Sequence, residues 1–223
     1  MPDSTPTSRT VGDDVIEGRQ RLVFVNRGDH YALSTLGVFA DGVVLWRFGS
    51  TDLDGLRAAF DDGTLTLTPP EGASLIIAGT ARGTVPALES WLTPEMVIGE
   101  LADELDDLND RPDSSRRCWN ALLAYAAAPT RANLEIVREL YRAVPEHRRI
   151  YMLGDMDQND VPVRILLADP GATIPARHPD HTLTVTPELR EQALGYFRRS
   201  EAGVAESRAQ RVADGPETSA TRQ

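Results

Sequence analysis

Asp155, Asp157 and Asp160 lie within six residues of one another in GDMDQND, and no other part of this sequence gathers carboxylates at a spacing so suggestive of chemistry. Oxygen ligands at the first, third and fifth positions of a loop can converge on calcium. The pattern then breaks, because the sixth position, where a calcium loop needs glycine for its turn, is Asp160, and the twelfth, where it needs glutamate, is Leu166. Two solvated carboxylates ~6 Å apart repel by only ~0.7 kcal/mol in bulk water, so no cation is required to hold them together. Arg148, Arg149 and Arg164 are close enough in sequence to neutralise most of this charge. The expectation is therefore no metal: Gly154 ends a turn, Asp155 and Asn159 make side-chain turn bonds, and the remaining acids stay in water. If the loop does hold a ligand, Asp155, Asp157, Asp160 and Arg164 are the residues to contact it.

The same Asp-x-Asp invites a phosphatase reading, in which the first aspartate attacks phosphate and the second serves as general acid. Such a pair ends a buried apolar strand, whereas here EHRR and Gly154 interrupt the approach, and the lysine that this chemistry uses is missing from the whole chain. The manganese-binding Asp-x-Asp of sugar transferases is too short a signal to separate from chance. Without lysine there is also no Schiff base and no Walker-type phosphate loop. Cys118 is the single cysteine, on the apolar side of its predicted helix, and reads as an inert core residue. His178 and His181 in HPDH offer two ligands of a metal site with no evident third, and the Pro-rich loop around them reads as solvated.

The basic run RPDSSRR, residues 111–117, is the local exception to an acidic chain of formal charge −11. At a helix start, backbone N–H groups together with Arg116 and Arg117 could hold an anion. The competing and preferred reading is that Asp113 or Ser114 caps the helix while the two arginines pair with Glu100, Asp103 or Asp107 of the preceding helix. An overall negative charge repels phosphate backbones and anionic lipid, so neither nucleic acid nor membrane is expected as a partner. The first ten residues, MPDSTPTSRT, carry no apolar run of the signal-peptide kind, and a cytoplasmic location is expected.

The elements that would position these residues follow from pattern. QRLVFVN, HYALSTLGVFA and VVLWRF read as strands, with Asp41-Gly42 as the hairpin turn between the last two, and TLTLT and SLIIAG as further extended runs. Thr51-Asp52 starts a short helix presenting Leu53, Leu56 and Phe60. Thr93-Pro94-Glu95 opens a longer one, with Val97, Leu101, Leu105 and Leu108 on its apolar face and Glu100, Asp103, Glu104 and Asp107 on the others. Helices over about 113–128 and 130–144, a strand in VPVRILLA, a strand TLTV and a last helix from Thr186-Pro187-Glu188 complete the chain. The expected class is α+β, an antiparallel sheet that includes strands near 163 and 183, packed against a group of helices. Disordered tails are expected over 1–17 and 203–223, flanking a single domain over 18–202 that is strand-rich over 18–90 and helix-rich over 91–200.

Three segments, GVFADGVVLWRF, LNDRPDSSRRCWNAL and VPEHRRIYMLGDMDQNDVPVRILL, together resemble a bacterial, mainly actinobacterial, domain family that in some relatives stands N-terminal to a NADAR domain. The NADAR family is linked to ADP-ribose and NAD chemistry, and the resemblance implies that this chain stops where that domain would begin, so that none of its catalytic residues is expected here. Relatives tend to have Cys-Trp after the hairpin, and Lys and Trp after the acidic cluster. This chain has Leu45-Trp46 and Gln158-Asn159-Asp160-Val161, which marks Trp46 as a further candidate contact. What the resemblance implies is a non-catalytic interaction or regulatory domain without a cofactor, connected to ADP-ribose or NAD processing and recognising a protein partner or a nucleotide-like small molecule. The alternatives are a metal-assisted phosphoester or glycosidic hydrolase built on Asp155, Asp157 and Asp160, and an acidic antidote-type protein that masks a basic surface.

Overall fold

The structure, a computed structural model, describes residues 4–77, 80–154, 159–176 and 180–214, with side chains up to residue 200. The fold is α+β, as expected, but the chain forms two compact units where one domain was expected: the first runs through Ser114 and takes back Pro145–His147, and the second comprises Ser115–Val144 and the chain from Arg148 onward.

Unit 1 is built on two long strands. In chain order its strands are β1 (Thr5–Val11), β2 (Asp14–Asn26), β3 (Tyr31–Phe39), β4 (Val44–Trp46) and β5 (Gly49–Thr51). There follow α1 (Leu53–Asp61), β6 (Leu65–Thr66), β7 (Ser74–Ile77), β8 (Ala81–Thr84) and α2 (Pro94–Leu108). Residues 5–17, expected as a tail, pair instead as β1 and the start of β2, with Thr5 opposite Gln20 and Val11 opposite Asp14. Polar and Thr-rich composition does not prevent pairing where one face of the ribbon stays in water. β2 and β3 are antiparallel neighbours, and each is flanked on its outer side by two shorter strands: β1 and β6 along β2, β4 and β7 along β3, the last of these parallel.

Local signals place these elements where the sequence predicts them. Gly42 sits at φ +84° in the β3–β4 hairpin, a conformation that costs glycine nothing, and its N–H donates to the Phe39 carbonyl at 2.8 Å. The Asp52 carboxylate caps α1 by accepting from the Gly55 N–H at 2.9 Å. Thr93 caps α2 by accepting from the Met96 N–H at 3.3 Å, with Pro94 in the first turn. Thr93→Ala is expected to lower stability by about 1 kcal/mol in urea denaturation, and an unchanged midpoint would mean that the hydroxyl contributes nothing. Val23 and Val25 of β2, Leu36 and Val38 of β3, Leu56 and Phe60 of α1, and Val97 and Leu101 of α2 close into one core.

Unit 2 is mainly helical: α3 (Ser114–Ala127, its first residue counted with unit 1), α4 (Arg131–Ala143), α5 (Glu146–Arg149, shared between the units), α6 (Val161–Leu167), β9 (Thr173–Pro175), β10 (Thr182–Thr184) and α7 (Pro187–Asp214). VPVRILLA, expected as a strand, is α6. A short β-branched apolar run fits a buried helix as well as a strand. Here Pro162 lies in the first turn, where its missing N–H costs nothing, while Val163, Ile165 and Leu166 are all buried. The expected antiparallel sheet therefore forms from the first half of the chain without strands near 163 and 183; among the described residues β10 pairs only with β9, Leu183 opposite Ile174, as a separate two-stranded ribbon. The backbone of α7 continues through residues 203–214, part of the stretch expected as a tail.

Phe197 of α7 is fully buried, with Trp119 and Tyr196 edge-on at 5.7 and 5.1 Å between ring centroids. Around it pack Cys118, Leu122, Val137, Val163 and Leu166. The carbonyls that end α6 are closed by arginine: Arg138 donates to Leu167 O at 3.0 Å and Arg190 to Ala168 O at 2.7 Å. Burial pushes the Cys118 thiol up from 9.0 to about 12, against a small opposing pull from Arg149. Folding therefore holds the proton: the associated stability is complete below pH 9 and is lost as pH rises from there towards 12. At pH 8 the folded protein is expected not to react with a chromogenic disulfide reagent, whereas the urea-unfolded chain reacts at once. Rapid reaction without denaturant would show that unit 2 opens locally around α3. No described helix is long and apolar enough to cross a membrane.

Candidate functional site

The concentration of unusual chemistry lies in unit 1, at residues the sequence patterns do not single out. Arg21, Val23 and Val25 share the inward face of β2, so an arginine occupies a core register. α2 supplies its counterions: Arg21 Nη1 donates to Glu100 Oε2 and Nη2 to Glu104 Oε1, one helical turn apart. The other Glu100 oxygen lies 2.8 Å from His147 Nε2, and the imidazole meets the exposed Trp91 indole edge-on at 5.7 Å. The side chains of Arg21 and Glu100 are 7% and 4% exposed. Arg21 Nε, Glu104 Oε2 and His147 Nδ1 are buried without a partner.

Glu100 and Asp103, expected off the apolar face of α2, are both buried. Tertiary pairing reverses that assignment, because an arginine at a core position of β2 requires carboxylates opposite it. The signal available in the sequence was Arg21 itself, an ionised group in phase with Val23 and Val25.

Beside this cluster the edge of β2 is open. On the side away from β3, β1 pairs no further than Thr5 opposite Gln20 and β6 begins pairing at Phe24, so on that side no described strand lies opposite Leu22. Asn26 N–H donates to Thr64 O on that side, and residues two apart share a direction, so the main-chain groups of Leu22 face the break. The corresponding break along β3, between β4 and β7, is bridged by Ser34, whose Oγ accepts from the Arg47 N–H at 3.2 Å. The β2 break instead opens into a groove of about 440 Å³ lined by Arg21, Leu22, Thr35, Leu67, Leu92 and Val97, among others. Leu22 is 65% exposed at its rim. An apolar groove with one charged wall residue, itself engaged by two carboxylates, is suited to holding an apolar group rather than to moving protons.

The sequence candidates are dispersed. Asp155 and Asp157 lie outside the described residues. Asp160 is buried at the start of α6, where its carboxylate accepts from Tyr141 Oη and from Arg164 Nε, the latter at 3.0 Å. Burial, reinforced by the hydrogen bond to Asp160, pushes the Tyr141 phenol above its ordinary range, so it remains a donor. Arg164 also donates to Pro175 O at 2.6 Å and ties β9 to α6. Asp160 and Arg164 thus form one structural cluster within unit 2.

Trp46 belongs to unit 1, half-buried, with its indole lying over Gly49, where an added Cβ would meet Cζ2 at 2.4 Å. At the start of α3, Asp103 takes the place an anion would occupy: Oδ1 accepts from Ser114 N–H at 2.7 Å and Oδ2 from Ser114 Oγ at 2.8 Å. A carboxylate of the preceding helix thus holds the first residue of α3 by both its N–H and its hydroxyl. Arg116 is exposed and Arg117 half-buried on α3. His178 lies outside the described residues. Among the described residues, no three His, Cys, Asp or Glu side chains are gathered so as to hold a metal ion.

No curated protein and no solved structure matches the chain. Residues 6–112 match the family described as Domain of unknown function (DUF7638) and residues 113–208 the family described as Domain of unknown function (DUF7639), two adjacent matches whose border falls at the start of α3.

Proposed function

We propose that the protein is a non-catalytic binding or regulatory domain that works beside ADP-ribose- or NAD-processing proteins, with the β2 groove of unit 1 as its binding surface. One observation carries the reading: the groove is mostly apolar and open along the β2 edge, while its one charged wall residue, Arg21, is fixed by Glu100 and Glu104. A guanidinium already shared by two carboxylates is a poor receptor for a diphosphate. The groove therefore suits an apolar group of a partner better than the nucleotide itself, and the link to ADP-ribose or NAD would run through the partner. The hydrolase reading loses one of its three carboxylates, because Asp160 is buried between Tyr141 and Arg164.

Titration of the isotopically labelled protein separates these readings. Indole, as an apolar probe, is expected to shift the amide signals of Leu22, Thr35 and Leu67, while ADP-ribose and NAD leave them in place and are recovered intact. Conversion of either nucleotide, abolished by Glu104→Gln, would overturn the non-catalytic reading. Shifts confined to other residues would remove the groove from it.

A further inference from the structure

A second pocket, wholly within unit 2, has a different chemistry. It occupies about 330 Å³ between α6, β10 and α7, with Val161, Ile165, Leu183, Leu189 and Ala193 forming an apolar wall and Arg199 as its charged lining residue. Leu189, Gln192, Ala193, Tyr196 and Arg199 fall on one face of α7 at helical spacing. Gln192 and Tyr196 add polar edges to that face.

Two observations describe the Arg199 side chain that lines this pocket. The guanidinium is exposed and makes no ion pair or hydrogen bond with any described residue, in contrast to Arg198 next to it, which binds Glu191 and Ala126 O. It also folds back over its own helix: Arg199 Nη1 lies 3.2 Å from where a Cβ on Gly195 would stand, one turn earlier, and is the one atom within 4 Å of that point apart from the adjacent residues and the helix's own backbone. Glycine is the poorest helix former after proline, yet here it occupies the interior of a 28-residue helix. The space left by its missing side chain is what the guanidinium uses.

We propose that this pocket binds a small apolar carboxylate, an aryl or short acyl acid, with its hydrocarbon body against Ile165, Leu183 and Leu189 and its carboxylate paired with the Arg199 guanidinium. A planar fork of N–H donors matches a carboxylate in two parallel hydrogen bonds and discriminates against neutral and cationic analogues of the same shape. The volume lies at the small end of ligand pockets, which restricts the body to about one ring or a short chain. The proposal is independent of the groove in unit 1.

Three probes of one shape test it: phenylacetate, phenylacetamide and phenethylamine, titrated into the full chain and followed through the amide signals of Ile165, Leu183 and Ala193. Phenylacetate is expected to bind at least about tenfold more tightly than phenylacetamide, and phenethylamine not to bind, as for a charge-assisted bidentate pair. Arg199→Ala should leave the circular dichroism spectrum and melting midpoint unchanged and equalise the first two probes. Gly195→Ala should weaken phenylacetate severalfold while holding or raising helix stability, since the new methyl displaces the guanidinium without touching another described group. Equal binding of all three probes, a carboxylate preference that survives Arg199→Ala, or no binding up to the solubility of phenylacetate would each overturn the proposal.

Discussion

Arg21→Ala is expected to destabilise unit 1 by roughly 3–5 kcal/mol, since it leaves buried carboxylates without their counterion. Glu100 is almost fully buried, and Glu104 is 13% exposed with one oxygen already lacking a partner. Desolvation of these charges is offset in the native protein by two ion pairs to one guanidinium, and removal of that guanidinium leaves the desolvation cost standing. Loss of packing is the smaller part, so an Arg21→Met variant, which keeps most of the stem but not the charge, is expected to lose nearly as much. Replacing all three together, Arg21→Met with Glu100→Leu and Glu104→Met, is expected to recover most of the loss, because an apolar cluster of similar volume does without the charges. Urea denaturation of the four proteins decides the point. A loss below about 1 kcal/mol for Arg21→Ala would mean that the carboxylates reach water and that the cluster belongs to the surface.

Asp160→Ala is the second large effect, roughly 2–4 kcal/mol, lower than the first because Arg164 retains 24% exposure and can turn to solvent. Tyr141 cannot do so as readily: its phenol is buried and would lose its acceptor. Asp160→Asn should cost less, since the amide oxygen still accepts from Tyr141. The same variants bear on the hydrolase alternative. Melting midpoints of the parent protein are expected to be equal in calcium, magnesium, manganese and chelator. A manganese-dependent rise that disappears in Asp160→Asn would return Asp160 to the role of metal ligand and sink the structural account.

The acidic loop and the Arg21 cluster show how far pattern reading extends. GDMDQND drew attention because its acids are adjacent in sequence, and adjacency is what a motif records. The part of it that is described, Asp160, works through a tyrosine 19 residues earlier and an arginine four residues later, both serving structure. Arg21 and Glu100 are 79 residues apart, and His147 a further 47 beyond Glu100, so no local window contains them.

Sequence by itself determined the α+β class, the Asp41-Gly42 hairpin, the helix starts at Asp52, Thr93 and Thr186, and the burial of Cys118. Each depends on forces acting over one turn of chain: a glycine that accepts positive φ, a side-chain oxygen within reach of an N–H three residues on, an apolar group in helical phase. Tertiary structure alone decided that residues 5–17 pair with β2, that VPVRILLA coils instead of extending, that Glu100 and Asp103 face inward, and that the chain divides into two units. Those outcomes depend on which distant surface an element meets. Burying an apolar run or an ion is favourable in either conformation, and only the partner across the interface selects between them.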